Sequence, residues 1–182
     1  MGGWGFYDDE NDTVADIWIS LELGILPKSF FELKKKIPDQ WETMNDIRCG
    51  YARNNPKLIY AAIKKWLIGF KRTMIKAGYS DPSAHISGIA LRAARVFQNL
   101  PVSDPLGAGI FDSKIPKELP KGYPEWLRLE ALAAVKRLIA EADENKLGWK
   151  DLKKRKIALQ HELFYFSRGK LGKEGVHPKI KS

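Results

Sequence analysis

The chain of 182 residues is 44% hydrophobic and 29% charged with a formal net charge of +9, a usage that excludes a disordered chain and suffices for one buried core. A lone cysteine, Cys49, excludes an internal disulfide framework. No apolar run approaches ~18 residues, and Met1 to Asp9 carry neither a basic n-region nor an apolar h-region, which predicts no membrane span, no signal peptide and an intracellular (cytoplasmic) location.

Helical periodicity dominates, and strand-like alternation is almost absent. The first predicted helix begins near Asp12 or Thr13, repeats Val14, Ile17, Trp18 and Leu21 at helical spacing, and stops near Gly24. Pro27 opens a short segment with Phe30, Phe31 and Leu33 followed by Lys34, Lys35 and Lys36. Pro38 interrupts it, because proline lacks the N–H and restricts its predecessor. The next helix, about Asp39 to Arg53, places Trp41, Met44 and Ile47 on one face.

Asn55 as N-cap and Pro56 at the first helical position mark a fourth helix. Its stripe is Ile59, Ile63, Trp66, Leu67, Phe70 and Met74. Its other faces carry Lys57, Lys64, Lys65, Lys71, Arg72 and Lys76, and Gly78 follows as the stop. A fifth helix runs from Asp81-Pro82 to about Asn99, with Ile86, Ile89, Ala90, Ala93, Val96 and Phe97 inward. Gly88 and the alanines there imply close approach by another helix. Residues 100–123 hold four prolines and three glycines and read as a long loop. Pro124 then opens a helix to about Lys146, with Leu127, Ala131, Ala134, Val135, Leu138 and Ala142 inward, and a last helix spans about Trp149 to Phe166.

The expected fold is all-α: an irregular bundle of about five to seven helices with a long Pro/Gly-rich loop and an extended basic C-terminal tail. Residues 1–166 form the helical domain, with lobes 1–99 and 124–166 joined by the loop 100–123, and residues 167–182 form the tail.

Charge is unevenly spread. Residues 1–55 hold 6 basic and 10 acidic side chains, residues 56–145 hold 14 and 9, and residues 146–182 hold 11 and 3. The excess at the C-terminal end points to an anionic partner. Lys150, Lys153, Lys154, Arg155 and Lys156 sit in the first turns of the last helix, where cations oppose the helix dipole. Arg168, Lys170, Lys173, Lys179 and Lys181 extend the set into the tail. No recognised nucleic-acid motif frames them, so any nucleic-acid contact is to phosphates, without base readout.

The opening Gly3-Trp4-Gly5, followed by Asn11, Asp12 and Asp16, resembles a family of domains of unknown function, the DUF4259 type. The likeness covers about the first 18 residues. It implies a Trp-Gly pair and an acidic cluster leading into a helix, and brings no established activity. It implies occurrence in bacteria or large DNA viruses, and hence allows a minor capsid or virion protein. Physically, Asp12 suits a helix cap, Asp16 suits the positive end of the dipole, and Trp4 is placed to fold back toward Trp18.

Catalytic and metal patterns are absent. Asp8, Glu10 and Asp12 imitate the start of a calcium loop, but its sixth and twelfth positions hold Thr13 and Ile19 instead of Gly and Glu. His85, His161 and His177 fall in no zinc or zincin pattern. Cys49 reads as structural, and Gly107-Ala108-Gly109 lacks the Lys and Ser/Thr of a phosphate loop. The expectation is a non-enzymatic interaction or structural protein that needs no cofactor or metal and is held among other proteins of an assembly. The alternative is a sequence-independent nucleic-acid-binding protein using its basic C-terminal region. Among the aromatics, Trp41, Trp126 and Trp149 stand near helix starts, where an interface anchor is one reading.

Overall fold

A computed structural model describes residues 12–76, 82–98, 116–143 and 152–169. Among them are seven α-helices and no strand: α1 (Asp12–Ile25), α2 (Lys28–Lys36), α3 (Trp41–Asn54), α4 (Pro56–Lys76), α5 (Ser83–Val96), α6 (Glu125–Asp143) and α7 (Leu152–Phe166).

Helix α5 is the axis of the fold. Twelve of its fourteen residues are buried, so it is enclosed on every side instead of presenting one apolar stripe. The small side chains of Ala90, Ala93 and Ala94 are fully covered, and they let α6 and α1 pack close. Helix α6 lies between α5 and α7, while α1, α3 and α4 pack against one another. Leu127, Ala131, Ala134, Val135, Leu138 and Ala142, the inward row expected for α6, are all buried. One core cluster draws on α1, α3, α4, α5, α6 and α7, so the two lobes anticipated on either side of residues 100–123 share a core.

Part of that anticipated loop is ordered packing. Residues 116–124 lie across the core as a strap. Gly122, at φ +81°, turns the chain where a side chain is disfavoured. The Tyr123 hydroxyl donates to the Ala90 carbonyl at 2.6 Å, and the Tyr165 hydroxyl donates to the Glu118 carbonyl at 3.3 Å. The Tyr123 ring meets Tyr60 at 5.9 Å, edge to face. Residues 99–115 lie outside the described set.

Two local expectations change. On α3 the inward row is Met44, Arg48 and Ala52, an i, i+4, i+8 line. Trp41 and Ile47 are exposed, at 54% and 39%. The Asn55 amide turns back to donate to the Tyr51 carbonyl at 2.8 Å, finishing α3, while its own carbonyl accepts from Leu58 and Ile59 at the start of α4.

Candidate interaction surfaces

The basic C-terminal region divides by position on α7. Its buried row includes Ala158, Leu159, Glu162, Tyr165 and Phe166. Arg155, three to four residues before that row and seven before Glu162, shares its face by helical spacing. It is half-buried, and burial lowers its pKa while Glu162 opposes that shift. Lys153 and Lys154 are exposed, and Lys156 is half-buried. Lys150, Lys170, Lys173, Lys179 and Lys181 lie outside the described residues.

Arg168 anchors the root of the tail. The Gly169 N–H donates to Phe164 and the Arg168 N–H to Tyr165, the paired bonds of a Schellman stop, with Arg168 at φ 63° in the left-handed position. The Arg168 guanidinium pairs with Glu125 at the start of α6. The same carboxylate holds Arg128, with contacts of 2.6 and 2.9 Å, and Arg128 also donates to the Phe166 carbonyl. A cation thus meets the negative end of α7. Hydrogen bonds from Arg128 and then Arg168 hold the Glu125 carboxyl at about 2.

Two buried ionic groups flank α5. On one side Glu22 of α1 accepts the Trp18 indole N–H at 2.8 Å and pairs with Arg48 of α3 at 2.9 Å. Burial pushes the Glu22 carboxyl up, and Arg48 and Arg92 oppose it. On the other side the Glu162 carboxylate lies 2.6 Å from the Ser87 hydroxyl. Burial raises it too, against Arg155, Ser87 and Arg95. Glu22, Ser87, Arg95 and Glu162 are each at most 2% exposed, so these charges tie helices together inside the fold.

The open surface is apolar in two places. Leu23, Phe30, Lys34, Trp41 and Met44 border a shallow hollow between α1, α2 and α3. Phe30 is seated in the body, and Phe31 meets its ring edge at 5.4 Å while staying 42% exposed. Among the described residues, five of the eight large exposed hydrophobic ones, Leu23, Phe31, Leu33, Trp41 and Ile47, come from α1–α3, which concentrates exposed apolar area at this end. A longer groove, about 690 Å³, runs between α1 and α4 past Asp16, Ile17, Lys65, Trp66 and Phe70.

Neither hollow is lined by a histidine or by Cys49. His85 packs its ring edge-on to Phe70 at 5.6 Å, and burial lowers its pKa. His161 is buried on α7. Burial, with Glu22 reinforcing it, raises the Cys49 thiol, which disfavours the nucleophilic thiolate. No group of three metal-ligating side chains occurs among the described residues, and none of their helices is long and apolar enough to cross a membrane. Of the N-terminal motif, Asp12 is the first residue of α1 and Asp16 is exposed on its second turn. Trp4, Gly5 and Asn11 lie outside the described residues. Compared with protein-family models, curated proteins and solved structures, the chain matches none.

Apolar periodicity does not mark the buried arginines and glutamates, because charge in a helical repeat ordinarily faces solvent. Their signal was local: Arg92 and Arg95 interrupt an otherwise small and apolar α5, and Arg48 lies one helical step from Met44.

Proposed function

We propose that the protein is a non-enzymatic helical component of a larger protein assembly, docked through the apolar face of α1–α3. The observation that carries this reading is Trp41, 54% exposed at the first position of α3 beside Leu23 and Phe30. Tryptophan is among the residue types enriched at interface hot spots, where truncation costs ~2 kcal/mol or more of binding. The partner is a protein that offers apolar side chains to the hollow. A narrower version, a minor capsid or virion protein of a large DNA virus, rests on the resemblance of the first eighteen residues.

Nucleic-acid binding through the C-terminal region is the second reading. It is favoured by the Glu125 clamp, which fixes the root of a cationic tail to the body.

Both are tested by expressing the tagged chain in the cells it comes from and sizing the extract. The first reading expects the chain in a high-mass fraction and Trp41→Ser at the mass of the free 20.7 kDa chain. A wild-type chain that runs free, or a Trp41→Ser chain that stays in the complex, overturns it. Deleting residues 168–182, or nuclease treatment, releases the chain only on the second reading.

A further inference from the structure

Helix α4 carries six cations, Lys57, Lys64, Lys65, Lys71, Arg72 and Lys76, and no carboxylate in 21 residues. Ile59, Ile63 and Leu67 fix its inner face in the core. Lys57, Lys64, Lys65, Arg72 and Lys76 are exposed. A helix face that serves solubility alone usually mixes signs, because i, i+4 pairs of opposite charge stabilise it and like pairs destabilise it. Here Arg72 and Lys76 form a like pair at that spacing.

Neighbouring helices relieve little of this charge. Lys71 pairs with Glu130 of α6 at 2.6 Å, and the Lys64 ammonium lies 5.9 Å from the centre of the Trp126 ring. Among the described residues Lys57, Lys65, Arg72 and Lys76 form no ion pair. Asp16, across the α1–α4 groove, is the carboxylate that borders the same hollow as Lys65.

The cations form lines. Lys57, Lys64 and Lys71 recur every seven residues, and so do Lys65 and Arg72. Seven residues advance ~10.5 Å and return to within ~20° of the same bearing. Two nearly straight rows therefore run along the outer face, with Ala61 and Ile68 between them. Ala61 and Ile68 at the centre of the face offer no hydrogen-bonding side chain for reading bases, and its flanks add the cations and the exposed Leu58.

We infer that the outer face of α4 docks the sugar–phosphate backbone of duplex nucleic acid without reading sequence. A lipid surface fits less well. Interfacial helices insert a continuous apolar face with aromatic anchors, whereas Trp66 and Phe70 are partly buried here and stacked on each other at 4.8 Å. The inference is independent of the Trp41 face and of the C-terminal cations.

The test is fluorescence anisotropy of a short DNA duplex titrated with the full chain over a salt series. Two charge-matched triple variants are compared, Lys57→Gln/Lys65→Gln/Arg72→Gln on α4 and Lys28→Gln/Lys35→Gln/Lys36→Gln on α2, each checked for unchanged helicity. The wild-type chain and the α2 variant should bind alike. The α4 variant should lose affinity about tenfold or more at low salt, and its log K against log salt slope should be shallower by about 2.7, or ~0.9 for each lost phosphate contact. Equal losses in both variants would reduce the effect to net charge and overturn the proposal. So would no wild-type binding at low salt, or binding to anionic vesicles in preference to duplex.

Discussion

Arg168 holds a left-handed backbone conformation, φ 63°, at the position after α7 where glycine is usual. Its place is explained by what its side chain does. With Arg128 it grips Glu125, and Arg128 caps the Phe166 carbonyl. The carboxyl of Glu125 is held at about 2 against an ordinary 4.5. A group lowered on folding stabilises the fold above its unfolded pKa and stops doing so as the pH falls through the folded one. The clamp therefore weakens between about pH 4.5 and pH 2. Glu125→Gln should lower Tm at neutral pH and converge with wild type near the bottom of that window. Parallel Tm curves across it would contradict this account. The Glu22–Arg48 pair behaves differently because it is buried. Arg48→Met leaves a covered carboxylate without its nearest cation and should cost about 3–5 kcal/mol in urea denaturation, whereas Glu22→Leu/Arg48→Met together should recover most of that loss. Equal destabilisation by the single and the double variant would show that the pair is not what matters there.

Among the elements, α3 shows how the core and the surface were separated. Met44, Arg48 and Ala52 turn inward, while Trp41 at its first position stays outside. Trp41→Ser should therefore cost about 1–2 kcal/mol, since roughly half of the indole is covered, while Trp18→Ala on α1, at 2% exposure, should cost about 3–5 kcal/mol. Chemical denaturation of the two variants checks the contrast, and a large loss from Trp41→Ser would make that residue part of the core. At the end of α7, a Cβ on Gly169 would lie 2.5–2.6 Å from carbons of the Phe164 ring, so Gly169→Ala should displace the ring and lower Tm, where an open site would tolerate alanine.

Helix spacing made α1, α4 and α6 legible, because one face of each is apolar and regular. It gave α5 its inward row too, Ile86, Ile89, Ala90, Ala93 and Val96, and fell short there only in missing that the other faces of that helix are buried as well. It failed for Trp41 and Ile47, since an apolar residue at the right interval looks the same whether a neighbour covers it or not. Burial of Arg48, Arg92, Arg95 and Glu162 depends on pairing across helices far apart in sequence, which periodicity within one helix does not encode. Arg155 is the same lesson among the candidate site residues: one of ten C-terminal cations read as contacts, it is half-buried and close enough to Glu162 to feel its charge.

For the whole molecule, the apolar hollow and the cationic helix face belong to different elements. The hollow bordered by Trp41 lies among α1–α3, and α4 presents cations along its outer length. The buried ion pairs and the strap from 116 to 124 join α1 and α3–α7 around one core. The most direct test of the assembly reading is hydrogen exchange on the free chain and on the complex isolated from its native cells. The account predicts slowed exchange in the complex at α2 and at the start of α3 around Trp41. Unchanged exchange there, with protection confined to other helices, would contradict it.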